Sequence, residues 1–194
     1  MRFIKNFLEE SKYVIDQIDV LQLNKIINLI KIIKKENGRI FFIGVGGSAA
    51  NCSHAVNDFR KILGIECYTP VDNVSELTAR TNDEGWETVF ERWLQTSNLS
   101  KKDLIFVFSV GGGSSKKKVS MNIIKALKFA KKKGSKICGV VGDLKGYTTK
   151  VSDACIKIKV KYKNNITPQT EAFQAVIWHL IVSHPNLKKF KTKW

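Results

Sequence analysis

Apolar residues recur at helical spacing through the first 35 positions: Phe3 and Phe7, then Val14, Ile18 and Leu21, then Ile26, Ile27, Ile30 and Ile33. This period predicts two amphipathic helices within Phe3 to Lys35, ended by Asn37-Gly38, with apolar faces that need a partner. The pattern then changes. Arg39 to Val45 (RIFFIGV) is a short run rich in β-branched and aromatic residues and reads as a strand; Gly46-Gly47-Ser48 follows, opening a helical stretch to Leu63.

The same order returns with a strand at Asp103 to Ser109 (DLIFVFS), a loop at Val110 to Ser115 and a helix at Lys116 to Lys133. It returns more weakly with Lys136 to Val141 (KICGVV), Gly142 and a short segment around Gly146 to Val151. A last strand, Ala154 to Val160, leads through Thr167-Pro168 to a helix over Thr170 to Ser183. Strands alternating with helices predict an α/β fold with a parallel sheet covered on both faces, whose ligands sit at the carboxyl ends of the strands. The glycine-rich loops fall at those ends.

A chain of 194 residues, 43% hydrophobic, is long enough for a substantial core and reads as one domain, a helical segment 1–36 joined to an α/β core 37–194. Its longest apolar stretches break well short of the roughly 18 residues that cross a bilayer, and no export signal is visible at the amino end. Cys52, Cys67, Cys138 and Cys155 show no CxxC spacing, and the last two lie in strand-like apolar runs, as free buried thiols do. These features predict a soluble protein of the reducing cytoplasm.

With 33 Lys+Arg against 17 Asp+Glu, the formal charge is +16, which attracts nucleic acid, acidic membranes or anionic metabolites alike. The lysines are scattered, with clusters at Lys116–Lys118, Lys131–Lys133 and Lys188–Lys193 and few aromatics between them. They read as solvated faces that draw in phosphates, and helix-turn-helix, zinc and RNP patterns are all missing from the sequence.

Two loops carry candidate binding chemistry. Gly44-Val45-Gly46-Gly47-Ser48 and Ser109-Val110-Gly111-Gly112-Gly113-Ser114-Ser115 each leave a strand and open a helix. Glycines let a backbone approach a ligand, hydroxyls donate, and a helix amino end offers N–H groups to phosphate. Neither loop is a Walker A sequence or a full GxGxxG, which disfavours nucleotides. His54 and Asp58 stand i, i+4 on one helix, and Glu171 and His179 i, i+8 on another, so each pair can share a face. Histidines and carboxylates on facing helices either bind a divalent metal or act as general acid and base. His184, beside Pro185, reads as a helix-end residue.

At these positions the chain resembles the sugar isomerase (SIS) superfamily, and within it the phosphoheptose isomerases. Gly44-Val45-Gly46-Gly47-Ser48-Ala49 with His54 is similar to that family's GNGGSA loop and its histidine-bearing helix. Asn82-Asp83 resembles its Asn-Asp motif before a helix, Ser109 to Ser114 its serine-rich phosphate loop, and Thr167 to His179 its last helix. The resemblance implies a three-layer α-β-α sandwich, a homotetramer packed through the N-terminal helices, and active sites shared between subunits. It also implies zinc held by His54, Asp58, Glu171 and His179, with Asp58 as catalytic base and His179 as its partner. Gly46, Gly47, Ser48, Ser109, Ser114 and Ser115 would hold phosphate, and Asn82 and Asp83 sugar hydroxyls.

The chain departs from the family pattern at Asp58 for Glu, Glu171 for Gln and Val45 for Asn, and Val110 and Gly111 stand where hydroxyl residues are common. The expected reaction is isomerisation of sedoheptulose 7-phosphate, or a related heptose phosphate, to glycero-manno-heptose 7-phosphate, an early step toward nucleotide-activated heptose for surface polysaccharide. A non-catalytic sugar-phosphate sensor, or a protein that associates with the replication initiator, is the alternative that the same fold carries.

Overall fold

The computed structural model describes residues 1–193; Trp194, which the one-domain reading includes, lies outside the described residues. Two helices come first, α1 (Arg2–Asp16) and α2 (Val20–Lys35), the second capped by the Asp19 carboxylate, which accepts from Gln22 N at 3.0 Å. Strand β1 (Ile40–Ile43) leads to α3 (Gly47–Asp58), which widens into a π-helical turn at Phe59–Leu63 and stops at Gly64, in the left-handed region. The rest of the chain is β2 (Cys67–Tyr68), α4 (Val74–Glu84), α5 (Val89–Thr96), β3 (Leu104–Ser109), α6 (Met121–Lys133), β4 (Lys136–Gly142), α7 (Tyr147–Val151), β5 (Ala154–Ile158) and α8 (Ile166–Ser183).

Among the described residues all five strands are parallel, in the order β2-β1-β3-β4-β5. Alternation along each strand divides the core into two layers. Ile40, Phe42, Leu104, Phe106 and Phe108 face a cluster shared with α2, α3 and α8, while Phe41, Ile43, Ile105 and Val107 face one shared with α5 and α6. Helices thus cover both faces, the three-layer arrangement expected for a parallel sheet buried on both sides. The chain leaves β1 toward β2 and returns across it to β3, so the crevice of this sheet opens between the carboxyl ends of β1 and β3. At the opposite end, Asp103 bonds Arg39 Nη2 at 2.9 Å and the Ser100 and Arg39 backbone N–H groups, tying the starts of β1 and β3 together.

Three parts of the fold differ from the sequence reading. The expected helix Lys116–Lys133 begins only at Met121: Ser114 and Val119 instead exchange backbone hydrogen bonds of 2.9 and 3.1 Å around a tight turn. Three consecutive lysines at a helix amino end would oppose its dipole and repel each other, and the turn relieves both. Strand β2 and helices α4 and α5 lie where the sequence reading names no element; α4 has no buried residue at all, whereas α5 buries Val89, Phe90 and Leu94. Helix α8 starts at Ile166, with Pro168 in a first turn whose N–H groups have no helical partner in any case.

The four cysteines are free. Cys52, Cys67 and Cys138 are buried, and burial pushes their thiols well up; Cys155 is pushed up to about 12. Among the described residues no helix is long and apolar enough to cross a membrane.

Candidate functional site

Helices α3 and α8 lie side by side and run in the same direction, joined at three levels. At the start, Ser48 N donates to Glu171 Oε1 at 3.1 Å; one turn on, Asn51 Nδ2 donates to Gln174 Oε1 at 2.8 Å; at the far end, the Trp178 indole donates to Asp58 Oδ2 at 3.1 Å. The buried Gln174 amide also donates to Ser48 Oγ at 3.0 Å, so a polar seam runs down an otherwise apolar interface. Buried polar groups demand such partners, and these set the register of the two helices.

The far end of the seam gathers His54, Asp58 and His179. Asp58 is only 8% exposed, whereas both imidazoles are open to solvent. Nε2 of His54 lies 3.6 Å, and Nε2 of His179 3.5 Å, from the same Asp58 oxygen, Oδ2. The His54 ring meets Trp178 and His179 edge-on, at centroid distances of 5.2 and 5.4 Å. His179 is further fixed by Nδ1, 2.8 Å from the Ala175 carbonyl, which leaves Nε2 as the atom turned to the cluster. Asn57 Nδ2 donates to the other Asp58 oxygen at 3.0 Å. The π-helical turn begins immediately after Asp58, and such turns gather at functional sites.

The donor set suits a divalent metal. Among the described residues, one ligand atom from each of His54, Asp58 and His179 lies within 4.8 Å of the others. Ligands about 2.1 Å from one tetrahedral ion stand roughly 3.4 Å from each other, close to the two nitrogen–oxygen separations seen here. Two histidines and a carboxylate, with a fourth position open, is also the donor pattern of catalytic zinc.

Glu171 is not in this cluster. Its carboxylate lies at the amino end of α3, where Ser48 N and Oγ bond Oε1 at 3.1 and 3.4 Å, and a Cβ on Gly47 would come within 2.5 Å of it. Eight residues of helix separate Glu171 from His179 by about 12 Å, so the two meet α3 at different heights.

The second loop leaves β3 with Ser109 Oγ accepting from Gly112 N at 3.0 Å, and Gly112 and Gly113 at positive φ. Ser114 Oγ accepts from Lys117 N at 3.3 Å, and Ser115 is exposed on the lysine turn. Ser120, which the sequence reading did not single out, stands at the amino end of α6 and makes no side-chain cap there. Asn82 and Asp83 are exposed in the last turns of α4 and bond each other at 2.7 Å. Helix α4 packs by Leu77 on the α5/α6 side of the sheet, away from α3 and α8.

The SIS domain model matches residues 6–142. The phosphoheptose isomerase of Aneurinibacillus thermoaerophilus is 33% identical over 165 residues, covering 82% of this chain and 78% of that protein. This chain belongs to the SIS-domain phosphoheptose isomerase family. It is an enzyme of the sugar-isomerase class. Phosphoheptose isomerase 2 of Campylobacter jejuni is 31% identical over 92% of this chain and 89% of its own length. The fold is that of the Neisseria gonorrhoeae phosphoheptose isomerase, with a TM-score of 0.79 over 94% of this chain and 96% of that one, at 22% identity.

Within that family's fold, sequence reasoning missed Trp178, Gln174, Asn51 and Ser120. Trp178 and Gln174 look like ordinary core positions in a helix pattern, and nothing local marks them as partners of α3. A closer signal exists for Ser120: a hydroxyl directly before an apolar helical period is an N-cap pattern.

Proposed function

We infer that this protein isomerises sedoheptulose 7-phosphate, or a closely related heptose phosphate, to glycero-manno-heptose 7-phosphate. The observation that carries the reading is the convergence of His54, Asp58 and His179 on one carboxylate oxygen, backed by a buried indole N–H. A sensor needs to bind a sugar phosphate; it has no need of a buried carboxylate flanked by two solvent-open imidazoles.

Asp58 removes a proton from the hydroxyl-bearing carbon beside the carbonyl, giving an enediolate. His179, as the second proton-transfer group, returns a proton to the former carbonyl carbon while the hydroxyl proton passes to the former carbonyl oxygen. The proton on Asp58 returns to His179 Nε2, 3.5 Å away. The Trp178 N–H holds the carboxylate in place without neutralising it. Zinc bound by His54, Asp58 and His179 would supply Lewis-acid stabilisation of the developing negative charge on the sugar oxygens, and with His179 Nε2 so engaged the proton taken by Asp58 would itself return to the neighbouring carbon. The phosphate would lie in the loop from Ser109 to Ser120, which leaves the carboxyl end of β3 and carries glycine backbone and the hydroxyls of Ser109, Ser114 and Ser115 to the amino end of α6. Asn82 and Asp83 would reach sugar hydroxyls from a neighbouring subunit of a homotetramer built on α1 and α2. Exposed Phe3, Ile4, Leu8, Ile15, Val20 and Leu21 on these helices support that assembly. The place of action is the cytoplasm, early in the supply of activated heptose.

NMR of sedoheptulose 7-phosphate with the purified protein, with added zinc and after chelation, tests the reading. Turnover that chelation abolishes and zinc restores supports it. Binding of heptose phosphates without any turnover would move the protein to the sensor class.

A further inference from the structure

The π-helical turn that follows Asp58 ends at Gly64, and its last carbonyls lack donors from the helix itself. Gly64 and Ile65 N–H close the carbonyls of Arg60 and Phe59 at 3.2 and 3.3 Å, which leaves the Ile62 carbonyl for a partner from elsewhere. That partner is the segment beyond α8. His184 turns the backbone out of the helix, and Leu187 and Lys188 N–H both donate back to its carbonyl at 2.9 Å. The buried Leu187 side chain joins the core that α2, α3 and α8 share, and Lys34 Nζ of α2 donates to the Leu187 carbonyl at 2.9 Å. The N–H groups of Lys189 and Phe190 then both donate to the Ile62 carbonyl at 3.0 Å. The Phe190 ring lies so close to Gly64, itself at φ +66°, that a Cβ there would stand 2.9 Å from it. The end of α8 is thereby joined to the end of α3 one turn beyond His54, Asp58 and His179.

We propose that Leu187 to Phe190 form a clasp that fixes the spacing of α3 and α8 at the height of Asp58 and His179, with Phe190 a positioning residue for proton transfer between those two. The polar seam ties the helices before the cluster, and Trp178 ties them at it. After it, among the described residues, no side-chain hydrogen bond joins Phe59–Leu63 to α8; the clasp holds that open end. The spacing matters because His179 Nε2 and Asp58 Oδ2 stand 3.5 Å apart, and a misplacement of about 1 Å caused far from the chemistry can cost about a hundredfold in rate. The π-helical turn is where such a displacement would enter, since it begins at the residue after Asp58. Phe190 is itself half exposed, so replacing it leaves the core intact. The effect on catalysis rests on the isomerase reading; the clasp does not.

The test compares the intact wild type with three variants. Phe190→Pro removes one N–H donor to Ile62 together with the ring, Phe190→Ala removes the ring alone, and Phe190→Leu keeps an apolar side chain against Gly64. Two quantities are read well below the lowest melting temperature: solvent exchange of the Trp178 indole proton by NMR, assigned from its absence in Trp178→Phe, and kcat and KM for sedoheptulose 7-phosphate. In Phe190→Pro the indole proton should exchange about tenfold faster and kcat should fall about tenfold, with KM within about twofold of wild type. Phe190→Ala should shift both by about threefold, and it decides the matter by itself if the proline variant does not fold. Phe190→Leu should stay within about twofold of wild type in both. Indole exchange and kcat unchanged by loss of the ring and donor would overturn the proposal, as would a loss carried by KM alone or one that Phe190→Leu fails to restore. A wild type that turns over no heptose phosphate, with indole exchange still accelerated in Phe190→Pro, would instead remove the isomerase reading and leave the clasp standing.

Discussion

Replacing Asp58 by Asn and by Ala separates its chemical role from its structural one. Oδ2 of Asp58 accepts from Trp178 Nε1 at 3.1 Å and faces both imidazoles; Oδ1 accepts from Asn57, which is exposed and free to turn its amide. In Asp58→Asn the amide oxygen can take the Trp178 N–H while the amide nitrogen faces Asn57. The cost is then only the difference between a hydrogen bond to a charged and to a neutral acceptor, about 1 kcal/mol. For a chain of this size that is a melting temperature lower by roughly 2 to 4 °C. Asp58→Ala leaves a buried indole N–H unpaired and should cost about 1 to 3 kcal/mol more. Both changes remove the base, so kcat should fall by about 10²- to 10⁴-fold in each, with heptose phosphate still bound by the asparagine variant. Thermal melts, calorimetry and an NMR turnover assay on the three proteins measure all of this. Turnover in Asp58→Asn within a few-fold of wild type would refute the role of base. An alanine variant as stable as the asparagine variant would refute the account of Trp178.

Gly47→Ala should cost only about 1 kcal/mol, because the Glu171 carboxylate that a new Cβ would meet is the end of a flexible side chain that can swing aside at the loss of its hydrogen bond from Ser48 N, and the cost should shrink when Glu171→Ala is added; denaturant melts of the single and double variants would show additive losses if the contact does not matter. Asp103 offers a pH test. Burial pushes its carboxyl up, but hydrogen bonds from Arg39, from the Ser100 and Arg39 backbone and the Arg39 charge outweigh this and hold it below the usual carboxylate range. A depressed folded pKa gives stability that is fully present above the unfolded value, about 4, and is lost as pH falls through the folded one. The stability gap between wild type and Asp103→Asn should therefore be constant near neutrality and narrow in acid; a gap independent of pH would count against this. Light scattering at micromolar concentration should find a tetramer, and a monomer would remove the assembly proposed on α1 and α2.

Much of the framework was legible in the chain because it is local. Runs such as Ile40–Ile43 and Leu104–Ser109 are buried on both faces, so they are continuously apolar and mark parallel strands without reference to anything distant. The pairing of His54 with Asp58 follows from one helical turn, and the contact at 3.6 Å is what that spacing allows. Where the period was weak, as in exposed α4, or where three lysines stood at a helix start, local pattern failed and surface electrostatics decided. The placement of Glu171 and His179 is of another kind. Both lie on α8, and their spacing is compatible with one shared site or with two. Within one protomer only the parallel docking of α8 on α3 decides their placement: buried Gln174 and Trp178 must find partners, Ser48 with Asn51 and Asp58 supply them, and that register puts Glu171 on a helix terminus and His179 on a carboxylate about 15 Å farther along α3.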